Sequence, residues 1–186
     1  MNKYFLNGLY SVLGFIVISA FAFKIFQPIK VLPRMQLSPA FSLVDQDSAR
    51  LTSEDLRGQF VLYTFAYTNC PEACAAINDT MKEVQSRLSE VELDGISVSF
   101  VTISMDPQRD TPEALNAYAQ SINANTKQWK FATTTNETLL KTIIGSGFET
   151  YYEKKEDGSF AFDPSFVLVD GWYMLAGSLV RSFGVN

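Results

Sequence analysis

The 186-residue sequence contains no histidine and only two cysteines, Cys70 and Cys74. The absence of histidine excludes histidine general bases, imidazole zinc sites and histidine-ligated haem or copper, whatever the fold. Two cysteines are too few for a scaffold that disulfide bonds hold together. The net charge is −5 and there is no basic stripe, which argues against nucleic acid as a partner. The hydrophobic content of 47% nevertheless indicates a folded protein with a substantial core.

An uncharged run near the N-terminus, residues 4–23, has the sequence YFLNGLYSVLGFIVISAFAF. Its 20 residues would span about 30 Å as a helix, the thickness of a bilayer core. We predict that residues 1–26 form one transmembrane anchor and that the proline-containing residues 27–39 form an extended linker. The alternative is a signal peptide that is cleaved near Ala20-Phe21-Ala22.

The orientation of this anchor does not follow from its flanking charges. Lys3 precedes the uncharged run, while Lys24, Lys30 and Arg34 follow it, so the positive-inside rule does not select one side. The chemistry of the cysteine pair favours an oxidising compartment. We therefore predict a single-pass protein of the cell inner membrane whose domain, residues 40–186, lies on the periplasmic side.

Both cysteines lie within residues 67–74, YTNCPEAC, where a strand is predicted to pass into a helix. The preceding run, residues 60–67, is apolar and aromatic, as is typical of a buried strand. Pro71 is the residue type favoured at the first helical position. On a helix the spacing of the cysteines would put both sulfurs on one face, and the helix N-terminus favours the thiolate form. Such a pair can form a disulfide, attack another disulfide or hold a soft metal ion.

A purely structural interpretation is available for the two cysteines and for Met81. The cysteines could be buried, inert thiols, although their close pairing at a strand-to-helix junction favours a redox or metal role. Met81 falls on the same helix face as the cysteines, but its backbone would lie roughly 10 Å from that of Cys74. That separation is too large for a shared metal ion, so we predict that Met81 is a core residue.

The remaining pattern predicts alternating strands and helices. We expect a strand, a helical turn, the cysteine strand, a long helix, a strand, a helix, a strand and a short helix, followed by a hairpin and two last strands; the ranges are 41–44, 52–56, 60–67, 73–93, 96–105, 113–122, 129–133, 137–144, 151–162, 166–169 and 173–180. This order indicates an α/β fold in which helices flank a mixed sheet. A redox cysteine pair at the first main strand-to-helix junction is the thioredoxin arrangement, here with CxxxC spacing instead of CxxC.

Four segments together resemble the Sco/SenC family: FSLVDQD at 41–47, TSEDLRG at 52–58, YTNCPEAC at 67–74 and MDPQRDTP at 105–112. The resemblance extends from about residue 41 to residue 170. It implies a membrane-anchored, thioredoxin-like protein that helps to assemble the copper site of cytochrome c oxidase. It also implies a protein partner, either an oxidase subunit or another copper or thiol protein.

The resemblance implies copper ligation by Cys70 and Cys74 together with a distant histidine in an Asp-His-Ser segment. This chain has Asp163-Pro164-Ser165 in that region, so the three-ligand site cannot form from this chain alone. Two thiolates suit Cu(I), a soft ion for which a small number of sulfur ligands is sufficient. If the site holds a metal, we therefore expect Cu(I). A carboxylate matches soft copper poorly, so Asp163 is better interpreted as a turn residue.

Pro164 suggests an alternative role for the site. Its position before a late strand matches thioredoxin-like reductases, in which a cis-proline faces the cysteine pair and helps to dock the partner's chain. The cis form is inexpensive for proline, but a trans-proline at the start of a strand is an equal alternative. A cis Pro164 close to Cys70 would indicate thiol exchange.

Two classes of function follow. In the first, the dithiol acts as a thiol-disulfide reductant or a Cu(I) metallochaperone, with Cys70 as the attacking thiol, Cys74 as the resolving thiol and Pro164 in the site. In the second, the protein is a non-catalytic docking adaptor that has lost the copper site. The retention of both cysteines favours the first class.

Overall fold

The computed structural model describes residues 13–15, 19, 37–70, 72–171 and 175–180. The chain divides into two compact units, Met1–Leu32 and Pro33–Asn186. In the first unit, residues 13–15 and 19 are helical, and the rest of the predicted anchor lies outside the described residues. Within the described ranges no helix has the length and apolar character needed to cross a membrane. The anchor at residues 4–23 therefore stays a prediction.

The second unit alternates strands and helices, as the sequence predicts. Its strands are β1 (Ser42–Asp45), β2 (Arg50–Thr52), β3 (Phe60–Ala66), β4 (Val98–Ser104), β5 (Trp129–Thr133), β6 (Tyr152–Lys154), β7 (Phe160–Phe162), β8 (Ser165–Val169) and β9 (Leu175–Val180). Its helices are α1 (Glu72–Ser89), α2 (Pro112–Ser121) and α3 (Glu137–Lys141), and a 3-10 turn covers Glu54–Leu56. A π-helical turn, Thr142–Gly147, continues α3.

Seven of these strands form one mixed sheet in the order β2-β1-β5-β4-β3-β8-β9. Strands β3, β4 and β5 run parallel, and the other neighbouring pairs are antiparallel. Strands β6 and β7 form a separate hairpin. The predicted α/β fold with a mixed sheet is confirmed. Strand β3, which lies between β4 and β8, carries the cysteine segment at its C-terminal end.

The two faces of the sheet are covered by different helices. On one face, α1 and α2 pack against β4 and β5 in a cluster that contains Met81, Phe100 and Trp129. On the other face, α3 and the π-helical turn pack against β3 in a cluster that contains Tyr63 and Phe148. Met81 is fully buried, which confirms the prediction that it is a core residue. Core packing on both faces fixes β3 and thereby the position of the cysteine segment.

Three boundaries differ from the sequence-based expectation. The short strand β2 was not predicted, because its three residues carry no strand periodicity of their own. Helix α1 ends at Ser89 and not near residue 93, and Val91, which falls within the predicted helix range, is exposed. The helix predicted at 137–144 ends at Lys141, and the chain continues as the π-helical turn, where a Cβ on Gly147 would lie only 2.5 Å from the Pro39 side chain. Glycine is required there by close packing.

Candidate functional site

The two cysteines form a disulfide at the C-terminal edge of the parallel strands. Cys70 ends a tight turn after β3, closed by a hydrogen bond of 3.2 Å from its N–H to the carbonyl of Tyr67. Cys74 lies in the first turn of α1, with its Cα atom 5.7 Å from that of Cys70. The predicted placement at a strand-to-helix junction is confirmed. Helix α1 begins at Glu72, so only Cys74 lies on it and the one-face geometry of a helix does not apply to Cys70; Pro71 lies outside the described residues.

The two cysteines differ in their exposure to solvent. Cys74 is 1% exposed and belongs to the core cluster on the α3 side of the sheet. Cys70 is partly exposed and only packs against that cluster. The disulfide rules out a pair of inert free thiols in this state. After reduction, Cys70 would present the accessible sulfur and Cys74 the shielded one, while their attacking and resolving roles stay a prediction.

A buried carboxylate holds the turn that carries Cys70. Asp110 is 1% exposed, and it accepts hydrogen bonds from the main-chain N–H of Thr68 at 3.0 Å and from the Thr68 hydroxyl. The Ser104 hydroxyl at the end of β4 also donates to Asp110. Thr111, and not Asp110, caps α2, by accepting a hydrogen bond from the N–H of Ala114. The side chain of Asp110 therefore serves the cysteine turn.

A second buried carboxylate connects the same loop to the β6–β7 hairpin. Asp106 is fully buried and accepts a hydrogen bond from Nε of Arg109, while Nζ of Lys154 lies 3.8 Å from its other oxygen. That second oxygen has no hydrogen-bond donor in the part of the chain that the structure describes. The guanidinium of Arg109 also donates to the carbonyl of Gly158 in the hairpin turn. The loop after β4 thus fixes both the cysteine turn and the hairpin.

Tyr67 lies between the hairpin and the cysteine turn. Its ring contacts those of Phe160 and Phe162 with centroid distances of 4.9 and 6.3 Å, and its hydroxyl accepts the N–H of Phe160 at 3.4 Å. A cleft of about 290 Å³ lies between the hairpin and α3, and neither cysteine lines it. The partly exposed Cys70 therefore lies outside that cleft.

Burial and charge also act on the helix face below Cys74. Asn78, one turn after Cys74, donates a hydrogen bond of 2.7 Å from its amide to the hydroxyl of Tyr118 on α2. Burial raises the pKa of Tyr118, the bond from Asn78 opposes this effect, and the negative charge of Asp110 adds to it. The hydrogen bond between Asn78 and Tyr118 joins α1 to α2 one turn after Cys74.

Pro164 lies at the same edge of the sheet as the cysteines. The antiparallel register pairs Thr64 of β3 with Phe166 of β8, so its continuation sets Pro164 opposite Ala66. No cis peptide bond occurs among the described residues, and the bond before Pro164 is therefore trans. The cis alternative is not observed, and a part for Pro164 in the site stays a prediction. Asp163 is exposed, in agreement with a turn residue.

The metal-binding capacity of the site rests on the two cysteines. In the described ranges no three side chains of histidine, cysteine, aspartate or glutamate are grouped closely enough to hold a metal ion. The sulfurs of Cys70 and Cys74 would become available as two thiolates once the disulfide is reduced. This donor set fits Cu(I), which accepts few soft ligands, and does not fit a three-ligand site.

Comparison with protein families gives one match that covers most of the chain. The SCO1/SenC family model matches residues 30–179. A SCO2-like protein of Rickettsia prowazekii is 29% identical over 137 residues, which cover 71% of this chain and 62% of the relative. The SCO1 homologue of Bacillus subtilis is 26% identical over 130 residues, covering 69% of this chain and 66% of the relative. The chain thus spans somewhat less than two thirds of the length of these relatives.

Solved structures show the same fold. A SCO1/SenC family lipoprotein of Bacillus anthracis superposes with a TM-score of 0.72 and 27% identity, covering 78% of this chain and 84% of that chain. BsSco, a member of the Sco family of cytochrome c oxidase assembly proteins in which a disulfide switch was identified, gives a TM-score of 0.70 at 23% identity, covering 80% and 85%. Copper-bound Arabidopsis thaliana ScoI superposes with a TM-score of 0.68 at 23% identity, covering 78% of this chain and 88% of that chain.

These likenesses confirm the predicted thioredoxin-like fold, and the matched range contains the cysteine turn, the loop after β4 and the hairpin. Two of the four segments on which the resemblance rested, residues 67–74 and 105–112, lie together at the C-terminal ends of β3 and β4. The chain belongs to the SCO1/SenC family.

Proposed function

We propose that this protein acts in the assembly of the copper site of cytochrome c oxidase, as a thiol-disulfide reductant and as a carrier of Cu(I), through Cys70 and Cys74. The observation that carries the proposal is the Cys70–Cys74 disulfide, in which one cysteine is partly exposed and the other is buried. The disulfide switch identified in BsSco and the copper bound to Arabidopsis ScoI support the two halves of the proposal.

As a reductant, the dithiol would exchange with a disulfide of the partner. The thiolate of Cys70 attacks one partner sulfur, which forms a mixed disulfide and releases the other partner sulfur as a thiolate. The thiolate of Cys74 then attacks the sulfur of Cys70, which closes the Cys70–Cys74 bond and releases the second partner thiolate. The partner gains two electrons and this protein loses two, so an external dithiol must later reduce the disulfide again. Pro164 lies at the sheet edge where the partner's chain would dock.

As a carrier, the protein would bind Cu(I) as cargo on the two thiolates. The two roles exclude each other at any moment, because the disulfide leaves no thiolate for the metal. A small number of sulfur ligands is sufficient for Cu(I), so a sulfur of the partner could bind the ion and displace the two cysteines by ligand exchange. The copper would then pass to the partner. A docking adaptor without dithiol chemistry is the alternative class of function, and the formation of the disulfide argues against it.

A redox titration and a Cu(I) competition titration on the full chain in detergent test this proposal. We expect one reversible two-electron transition in the wild type and none in Cys70→Ser or Cys74→Ser, because each variant lacks one half of the disulfide. The reduced wild type should retain one equivalent of Cu(I) against a weak chelator, and both variants should lose it. Asn69→Ser, in the same turn, leaves both sulfurs intact and should behave like the wild type.

The two titrations separate the roles. A wild type without a reversible disulfide would exclude the reductant, and a reduced wild type that retains no copper would exclude the carrier. If a double cysteine-to-serine variant supported oxidase assembly as well as the wild type does, the docking adaptor would replace both.

We also propose that residues 4–23 anchor the chain in the inner membrane with the domain on the periplasmic side. The uncharged length of this run and the oxidisable cysteine pair support the proposal. An arginine at the centre of a membrane-spanning helix costs about 3 kcal/mol of insertion free energy. Gly14→Arg should therefore release a large share of the protein from membranes on alkaline carbonate extraction, while Gly14→Leu should remain in the pellet.

The intact mass of the membrane-bound protein distinguishes an anchor from a signal peptide. An anchored chain keeps its N-terminal residues, whereas cleavage near Ala22 removes them. Complete extraction of the wild type by carbonate would contradict the anchor.

A further inference from the structure

The turn that carries Cys70 is held at its second residue. The four residues Tyr67 to Cys70 form a turn closed by the hydrogen bond from the N–H of Cys70 to the carbonyl of Tyr67. Thr68 is the second residue of this turn, and both of its donors, the main-chain N–H and the hydroxyl, bond to the carboxylate of Asp110. This carboxylate comes from a loop 42 residues further along the chain. The conformation of the turn thus depends on a distant side chain as well as on local sequence.

Asp110 is itself fixed to the end of strand β4. The hydroxyl of Ser104 donates to the carboxylate of Asp110 and accepts the N–H of Asp106 at 3.0 Å. The N–H of Asp110 donates to the carbonyl of Asp106 at 2.9 Å. Asp110 has no ion pair with a lysine or arginine among the residues that the structure describes. A continuous set of hydrogen bonds therefore joins the parallel sheet, through Asp110 and Thr68, to the turn that ends at Cys70.

This arrangement acts differently on the two redox states of the cysteine pair. Disulfide formation requires that the Cys70 sulfur stay within bonding distance of Cys74, whose backbone belongs to α1. The reduced form places no such demand on Cys70. If the turn were free, forming the disulfide would have to order it, and the lost conformational entropy would oppose oxidation. A turn that is already fixed avoids that cost.

We propose that Asp110 is a positioning residue for the dithiol, which raises the equilibrium constant for disulfide formation by fixing the turn that carries Cys70. The inference rests on the proposed function, since it concerns the redox equilibrium of the same pair. It assigns to Asp110 an effect on the reduction potential that a residue important only for folding would not have.

The test measures the equilibrium of the full chain with a glutathione redox buffer for the wild type and three variants. Asp110→Ala leaves both donors of Thr68 without an acceptor, and we expect the equilibrium constant to fall about tenfold, which corresponds to a potential roughly 30 mV more positive. Asp110→Asn should stay within about twofold of the wild type, because an amide oxygen can accept the N–H of Thr68 while the amide nitrogen donates to its hydroxyl.

Asp45→Ala is the matched control. Asp45 is also a buried turn carboxylate, 3% exposed, and it accepts two main-chain N–H bonds of 2.9 Å from Asp47 and Ala49. It lies at the end of β1, and strands β5 and β4 separate β1 from β3. Its loss should lower the Tm and leave the redox equilibrium within about twofold of the wild type.

The Tm of each variant is measured in the oxidised and the reduced form. Asp110→Ala should lower the Tm of the oxidised form more than that of the reduced form. If it lowers both equally and keeps the wild-type equilibrium constant, the inference is overturned and the proposed function is untouched. A wild type without a reversible disulfide overturns the proposed function and this inference together. Should Asp110→Ala fail to fold, Thr68→Val removes only the hydroxyl bond, and an unchanged equilibrium constant in that variant would overturn the inference.

Discussion

Reduced Cys74→Ser should react with a small aromatic disulfide roughly 100-fold faster than reduced Cys70→Ser. The first variant keeps the partly exposed sulfur of Cys70, whereas the second keeps only Cys74, which is 1% exposed. A buried thiol reacts through local opening of the structure, and an opening that costs about 3 kcal/mol lowers the reactive population roughly 100-fold. Stopped-flow absorbance of the released aromatic thiol measures both rates.

The same pair of variants contains its own control. In guanidinium chloride both thiols are exposed, and the two variants should react at similar rates. If the folded variants also reacted at similar rates, the assignment of Cys70 as attacking thiol and Cys74 as resolving thiol would be wrong. A further consequence is that Cys74→Ser should accumulate a mixed disulfide with the partner, because the resolving thiol that releases it is gone.

Arg109→Met should lower the free energy of unfolding by about 2 kcal/mol, because it leaves a buried carboxylate without its hydrogen-bonded partner. Asp106 is fully buried, and after the change only Lys154, with its Nζ atom 3.8 Å away, remains beside it. The expected loss of unfolding free energy is smaller than for a fully buried ion pair, because the Arg109 side chain is 40% exposed. The variant also loses the bond to Gly158, so the hairpin should become easier to open. Urea denaturation of the oxidised protein measures the effect.

Arg87→Met is the matched control, because Arg87 pairs with Glu83 on the surface of α1 with side chains that are 77% and 59% exposed. Exposed pairs of this type contribute about 0.5 kcal/mol or less. Adding Asp106→Asn to Arg109→Met should recover part of the lost stability, since it removes the uncompensated charge. Equal losses in Arg87→Met and Arg109→Met would show that Asp106 does not depend on its partner.

Local sequence patterns predicted the framework of the domain well. The apolar run at 60–67 gave β3, the β-branched run at 96–105 gave β4, and the residues 129–133 gave β5 with its observed bounds. Each of these strands is rich in apolar, β-branched or aromatic residues, so its pattern was visible without tertiary contacts. The end of α1 was less predictable, because the apolar stripe continues to Val91, an exposed residue beyond the helix.

The site was predicted only in part, because local sequence patterns show neighbours in the chain and not contacts between distant residues. Cys70 and Cys74 are neighbours in sequence, so their pairing at a strand-to-helix junction was visible in the chain. The partners of the turn are not neighbours: Asp110 bonds to Thr68 across 42 residues, and Tyr67 meets Phe160 across 93 residues. The charged loop after β4 looked like a helix cap, because nothing in the sequence distinguishes a capping aspartate from one that bonds to another loop.

The sequence by itself determined the strand-to-helix junction, the cysteine pair within it and the absence of histidine from these 186 residues, because residue identity and local periodicity decide these features. The tertiary structure alone decided that Cys70 is partly accessible and Cys74 buried, and that Pro164 follows a trans bond at the sheet edge. It also decided that Asp110 is buried beside the cysteine turn and Asp106 beside the arginine and lysine that join this loop to the hairpin. Burial, register and hydrogen-bond partners are set by which strands lie side by side. That order depends on packing between residues far apart in the chain, which no local pattern encodes.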